Sequence, residues 1–173
     1  VLAGGSSFGA SANAHAIIDQ NQMFDFYHGR GLDLTCLGMA ECDQFGNVNT
    51  SKFGGRLNGS GGFIDISQNA RAVVFAGTFT AGGLEVEIHY GKLKIVKEGR
   101  ARKFVNNVEQ ITFSGPYASR KSQPVIYVTE RCVFQLTPGG LELIEVAPGI
   151  DIDKHILAQM DFKPIINKPM FMD

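Results

Sequence analysis

Gly59-Ser60-Gly61-Gly62-Phe63-Ile64-Asp65-Ile66-Ser67-Gln68-Asn69-Ala70-Arg71-Ala72-Val73-Val74-Phe75-Ala76 reads as a glycine loop, a short helix and an apolar strand in succession. The helix is expected from Ile64 to Ala70 and the strand from Ala72 to Ala76. Upstream, Leu32-Asp33-Leu34-Thr35-Cys36-Leu37-Gly38-Met39-Ala40 is mostly apolar and bounded by breakers, which predicts another strand, covered on both faces. Strand, loop, helix, strand is the pattern of a layered α/β unit, so the expected class is three-layer α/β.

Outward from this unit, the residues from Ala10 to Asp19 are small and helix-tolerant, and a second short helix is expected over Gln22 to His28, ended by Gly29-Arg30-Gly31. Asp43-Gln44-Phe45-Gly46-Asn47 is a turn, with a short return strand at Val48 to Lys52. The second half changes character. Leu84, Val86 and Ile88 alternate with Glu85, Glu87 and His89, and Leu93 and Ile95 continue the alternation after Tyr90-Gly91-Lys92, as expected of an antiparallel hairpin with one wet face. Further strands are expected at Ile111–Phe113, Val125–Thr129, Cys132–Leu136 and Leu141–Val146, the last two joined through Pro138-Gly139-Gly140. Asp151 is placed to cap a closing helix through Met160, and an extended, proline-interrupted tail follows Phe162.

The 173 residues suit one domain, and 44% hydrophobic with 19% charged residues is the balance of a folded chain rather than a disordered one. A net charge of -1 gives no global field for nucleic acid or an anionic membrane. The mild basic cluster from Lys97 to Lys103 reads as a solvated surface turn. No apolar run approaches the ~20 residues that span a bilayer. Cys36, Cys42 and Cys132 are sparse and lack zinc-ligand spacing, which points to neither a metal site nor a disulfide framework and fits a reducing cytosol; Cys36 and Cys132 sit in apolar runs as small hydrophobes.

Glycine permits positive φ and a close backbone approach, so Gly59-Ser60-Gly61-Gly62-Phe63 serves either a tight structural turn or an anion or oxyanion site at the start of a helix. A dinucleotide fingerprint would need glycine at Ile64, and no P-loop ending is present. The wording around the loop is more specific. Gly38-Met39-Ala40, Asp43-Gln44-Phe45-Gly46-Asn47-Val48-Asn49, Ser51-Lys52-Phe53-Gly54 and Gly59 through Ala70 resemble the second half of class I coenzyme A transferases. The resemblance is to the fused acetate and propionate type. It continues through Gly77-Thr78-Phe79-Thr80-Ala81-Gly82-Gly83, Val108 to Gly115, Thr129 to Phe134, Ala147 to Asp151 and Leu157 to Phe162, nearly the whole chain.

The resemblance implies the CoA-transferase superfold with a strand-rich carboxyl-terminal portion. It also implies transfer of coenzyme A between a short-chain acyl-CoA and a small carboxylate (acetate, propionate, butyrate or acetoacetate). In the family a glutamate carboxylate attacks the acyl-CoA and passes through a glutamyl-CoA thioester, trading one activated acyl bond for another without water. Backbone donors at the thioester stabilise the oxyanion, an effect of about 3 kcal/mol per donor. By resemblance, the loop Gly59, Ser60, Gly61, Gly62 and Phe63 binds the coenzyme, with Gly61, Gly62 and Phe63 against the thioester and pantetheine end, and Lys52, Phe53 and Arg56 on the phosphate or adenine side. Surface charge and packing are the alternative for those last three.

By the same resemblance the catalytic glutamate belongs in a Glu-x-Gly-x-x-Gly-Gly turn just before Val1, of which Val1-Leu2-Ala3-Gly4-Gly5 is the remnant. Residues 1–173 are then the carboxyl-terminal part of the glutamate-bearing domain, lacking its amino-terminal segment and inactive alone. Glu85, Glu87, Glu142 and Glu145 are expected on solvent-facing strand positions and Glu130 in a structural role. His15, His28, His89 and His155 form no triad-like setting. The implied partners are acyl-CoA, a small carboxylate, the missing amino-terminal portion and further copies in a cytoplasmic homo-oligomer, with no nucleic acid, membrane or metal. The rival readings are an acyl-CoA hydrolase of the same fold and a non-catalytic partner subunit.

Overall fold

The structure, a computed structural model, describes residues 7 and 10–172. Val1–Gly5, where the glutamate turn was expected to end, lies outside the described residues. In chain order the first elements are α1 (Gln20–His28), β1 (Leu34–Gly38), β2 (Glu41–Asp43), β3 (Val48–Asn49), β4 (Lys52–Phe53), β5 (Arg56–Leu57), α2 (Phe63–Asn69) and β6 (Ala72–Ala76). Then come β7 (Thr80–Ala81), β8 (Glu85–His89), β9 (Lys92–Lys97), β10 (Ala101–Arg102), β11 (Phe104–Val105) and α3 (Gly115–Arg120). The chain closes with β12 (Val125–Val128), β13 (Cys132–Thr137), β14 (Gly140–Val146), α4 (Ile152–His155), a single 3₁₀ turn at Leu157–Gln159 and β15 (Ile165–Phe171).

A six-stranded sheet in the order β1-β6-β12-β13-β14-β15 organises the molecule. β1, β6 and β12 are parallel, with Cys36 opposite Val74 and Val74 opposite Ile126. α2 makes the crossover from β1 to β6, the connection that parallel neighbours require. β12, β13 and β14 then run antiparallel through short turns, and β15 returns parallel to β14. Pro169 is accommodated because β15 is an edge strand, next to an irregularity where Lys168 takes φ 49°.

One face of the sheet carries the core. Val73, Phe75, Tyr127 and Phe134 are buried there. Phe75 packs against Phe63 of α2, Phe113 and Tyr127 with ring centroids 5.8, 5.0 and 5.4 Å away. A second aromatic group stacks Phe79 on Phe104 at 4.6 Å and sets Phe134 against Phe104 at 5.1 Å, the rings tilted by 47°. The opposite face of β1 is open: Leu34, Cys36 and Gly38 are exposed. The expectation of a strand covered on both faces is therefore corrected, and Cys36 is not a buried hydrophobe, because this face of the sheet is only partly covered: Val74 and Ile126, in register with Cys36, are half-buried too.

Other expectations also change. No helix forms over Ala10–Asp19, since every side chain there is exposed, Ile17 at 93%, and a short helix without a face to bury is unstable. Ile111–Phe113 is no strand; Phe113 makes one isolated bridge to Val48. The return strand divides into β3 and β4. The expected β8–β9 antiparallel hairpin forms, with Val86 opposite Ile95 and Ile88 opposite Leu93. Its apolar side is largely wet as well, for only Leu93 is buried. Asp151 does cap α4, accepting from the Lys154 N–H at 2.8 Å, but the helix gives way to the 3₁₀ turn after His155.

Candidate functional site

The glycine loop is tied down at its start. The N–H groups of Asn58 and Gly59 both donate to the Ser51 carbonyl, at 2.7 and 3.1 Å. Ser51 is itself buried and held by Asn49, whose side-chain oxygen accepts from the N–H groups of Ser51 and Lys52. The β4–β5 hairpin and the loop thus leave from one anchored point. Gly59 and Gly61 have φ of 79° and 50°, and a side chain at either would meet open space rather than protein. Gly62 differs: a Cβ there would stand 2.7 Å from the Phe24 ring of α1, so this glycine admits the contact between the two helices. Phe63 starts α2 and stacks on Phe75.

Lys52 pairs with Glu109 at 3.4 Å on the surface, and Arg56 is exposed on β5. Phe53 lines a cavity of about 390 Å³ walled also by Met39, Ala81, Ala101 and Lys103. This cavity opens beyond the carboxyl ends of parallel strands β1 and β6, where open α/β sheets characteristically bind ligands. Lys103 corrects the expectation of a solvated basic turn. It is only 7% exposed, its carbonyl accepts from the Cys42 N–H at 2.7 Å, and its ammonium approaches Gly77. Burial pulls the Lys103 pKa below the ordinary lysine value, while the charges of Glu130 and Cys42 act to raise it.

Beneath the cavity lies a buried charge cluster. Arg131 is fully buried and donates to both carboxylate oxygens of Glu98 at 2.9 Å, to Glu130 at 2.6 Å and to the His155 carbonyl at 2.8 Å. It also stacks over Phe79 at 4.8 Å. Glu130 accepts from the Phe79 N–H at 2.8 Å with its other oxygen, which gives it the structural part expected of it. Burial favours neutral Glu98, yet the hydrogen bonds from Arg131 and Thr80 hold its carboxyl below the usual carboxylate range. Glu85 pairs with Lys97 and Glu87 with His89 on the exposed hairpin. Glu142 and Glu145 are half-buried by β15, and Glu142 accepts from Asn167. Among the described residues no group of three or more His, Cys, Asp or Glu side chains is arranged to hold a metal.

The Asp43–Asn47 motif is structural. Asp43 accepts from the N–H groups of Phe45 and Asn47 at 3.0 and 3.1 Å and from the Asn47 side chain at 2.9 Å. Gly46, at φ 75°, presents its carbonyl to the Tyr127 hydroxyl at 2.6 Å.

Against known proteins, no family model matches the chain. It is 53% identical over 163 residues to acetate CoA-transferase YdiF of Escherichia coli K12, covering 94% of this chain and 31% of that protein. It is 55% identical over 166 residues to caffeate CoA-transferase of Acetobacterium woodii, covering 93% of this chain and 32% of that protein. The chain is homologous to CoA-transferases. It superposes on the crystal structure of the acyl-CoA transferase YdiF apoenzyme from Escherichia coli O157:H7 with a TM-score of 0.92 at 52% identity, over 95% of this chain and 32% of that one. The same enzyme's thioester complex with CoA superposes with a TM-score of 0.90, over 93% of this chain and 32% of that one. The CoA-transferase fold expected from the sequence is therefore the observed one. The chain spans about a third of the length of these relatives.

Of the residues assigned from sequence, the loop Gly59–Phe63 and the hairpin bearing Lys52, Phe53 and Arg56 are neighbours joined at Ser51. Only Phe53 faces the cavity at the strand ends. Sequence reasoning missed Lys103. No local pattern marked it: β10 pairs with β7 and β11 with β2, so the chain changes sheets at Lys103 and alternation fails there.

Proposed function

We propose that the protein to which this chain belongs is a CoA-transferase that moves coenzyme A between a short-chain acyl-CoA and a small carboxylate (acetate, propionate, butyrate or acetoacetate) through a glutamyl-CoA thioester. The observation that carries this reading is identity above 50% to two CoA-transferases across more than nine-tenths of the chain. In this proposal residues 1–173 form the carboxyl-terminal part of the glutamate-bearing domain, and a further portion of the protein supplies the nucleophile and completes the pocket. Gly59, Ser60, Gly61, Gly62 and Phe63 take the thioester and pantetheine end. The open space beside Gly59 and Gly61 supports that assignment, since a ligand there could approach the backbone closely. Lys52 and Arg56 take the phosphate and adenine side, whereas Phe53, given the same side by resemblance, faces the cavity at the strand ends. The enzyme works in short-chain acid and ketone-body metabolism as a cytoplasmic homo-oligomer and draws its chemistry from the carboxylate, without a metal.

Calorimetric titration of the chain with coenzyme A, together with isotope exchange between acetyl-CoA and labelled acetate, tests this reading. The chain alone is expected to bind coenzyme A and give no exchange. Absence of coenzyme binding would overturn the pocket, and robust exchange would overturn the placement of the nucleophile elsewhere. For the whole protein, thioester loss that needs no carboxylate acceptor would make it a hydrolase instead.

A further inference from the structure

The cavity at the carboxyl ends of β1 and β6 has a composition that specifies its occupant. Its walls are largely hydrocarbon: Met39, Phe53, Ala81 and Ala101. Three charged side chains reach it, and two are already engaged. Glu41 accepts from the Asn49 side chain at 2.7 Å and from the Glu109 N–H at 3.0 Å. Arg102 donates to Asp161 at 2.7 Å and to the Ala158 carbonyl at 2.9 Å. Lys103 is different. Its stem is buried, and its ammonium makes no hydrogen bond or ion pair among the described residues. The carboxylate whose charge acts on it, Glu130, is already bound by Arg131 and the Phe79 N–H. The Lys103 Nζ would lie 2.9 Å from a Cβ built on Gly77, so glycine at that position leaves the ammonium its room at the cavity wall.

An ammonium on a buried stem, largely stripped of water and given no partner among the described residues, gains from a ligand anion that completes it. One such cation above hydrocarbon walls matches a monoanion carrying an apolar body; a diphosphate, with several charges, would call for several unengaged cations. We infer that Lys103 is the recognition residue for the carboxylate of the acid substrate, with Met39, Phe53, Ala81 and Ala101 holding its hydrocarbon part. This inference rests on the transferase reading, for which it names the acid-binding wall. Lys103 acts here in binding and orienting the acid; no proton or acyl group passes through it.

The test uses butyrate and its neutral isostere butyramide, titrated into the full chain by NMR. The acid is expected to bind at least tenfold more tightly than the amide, with shifts centred on Phe53 and Ala81. Lys103→Met, a replacement of similar length that suits a buried site, is expected to weaken acid binding about tenfold and leave amide binding unchanged. Gly77→Ala, which crowds the ammonium, is expected to act in the same direction. Equal binding of acid and amide by the wild-type chain overturns the inference, and that comparison holds even where a variant does not fold. So does acid binding by folded Lys103→Met that matches wild type. A chain that binds coenzyme A yet ignores the acid's charge sinks this inference alone. A chain that discriminates acid from amide yet does not bind coenzyme A sinks the transferase reading and leaves Lys103 an acid-binding residue.

Discussion

Replacing Arg131 by Met removes the guanidinium from the centre of the charge cluster while keeping a side chain of similar reach. Two carboxylates lose their partner: Glu98, with its side chain 26% exposed, and Glu130, 17% exposed. Breaking a buried ion pair from one side costs about 3–5 kcal/mol, because the remaining charge stays desolvated. Both glutamates retain some water and another donor, Thr80 for Glu98 and the Phe79 N–H for Glu130, so the lower end, about 3 kcal/mol, is expected at pH 7. For a domain of this size that corresponds to a drop in Tm of roughly 6–12 °C. The pH dependence carries the sharper signature. The Glu98 pKa is depressed in the folded state, so its contribution is present above the unfolded carboxylate value and is lost as pH falls through the folded value. The gap between wild type and Arg131→Met should therefore narrow from pH 7 toward pH 3. Urea unfolding monitored by circular dichroism across that range provides the measurement. A loss under about 1 kcal/mol at pH 7, or a gap that does not change with pH, would refute the assignment of the cluster as a coupled charge network.

Two further outcomes follow from single positions. Burial pushes the Cys132 thiol up to about 12 and the Cys42 thiol well above its ordinary value, whereas Cys36 is exposed; iodoacetamide at pH 8 should give one adduct, at Cys36, by peptide mass spectrometry, and modification of Cys42 in the folded chain would contradict the burial. Gly62→Ala should cost more stability than Gly61→Ala in thermal unfolding. The first drives a methyl into Phe24, and the second meets only the strain of a positive φ, about 1 kcal/mol.

The strongest local signals were legible in the sequence. Ala72-Val73-Val74-Phe75-Ala76 forms β6 without a residue's change, and α2 begins one residue earlier than expected because Phe63 joins it to stack on Phe75. The Cys132 and Leu141 runs pair around Pro138-Gly139 as their turn chemistry required. What escaped detection depends on partners distant in the chain. β1 reads as a doubly covered strand because its apolar content is high, but cover depends on what the rest of the fold packs on each face, and the face of Cys36, Val74 and Ile126 is only partly covered. Helix α3 was overlooked although Ser114 caps it and Pro116 sits in its first turn; its six residues are too few for periodicity to register. Of the site, the glycine loop was visible from its φ demands, while the ammonium of Lys103 and the bonds of Arg131 are assembled by segments that only the fold brings together.

The two ends of the six-stranded sheet are chemically unequal. At β15, Pro169 supplies no N–H and the backbone departs from regular extension at Lys168, so the outer rim there is a poor template for another strand. At β1, the five residues Leu34–Gly38 hold extended geometry against β6 alone, and their other backbone edge meets no strand among the described ones. Among the described residues, the β1 rim is therefore the edge to which a further strand could add. A segment that lengthens the sheet would register on Leu34–Gly38, and a charged or proline substitution at that rim would control whether copies of the chain adhere edge to edge.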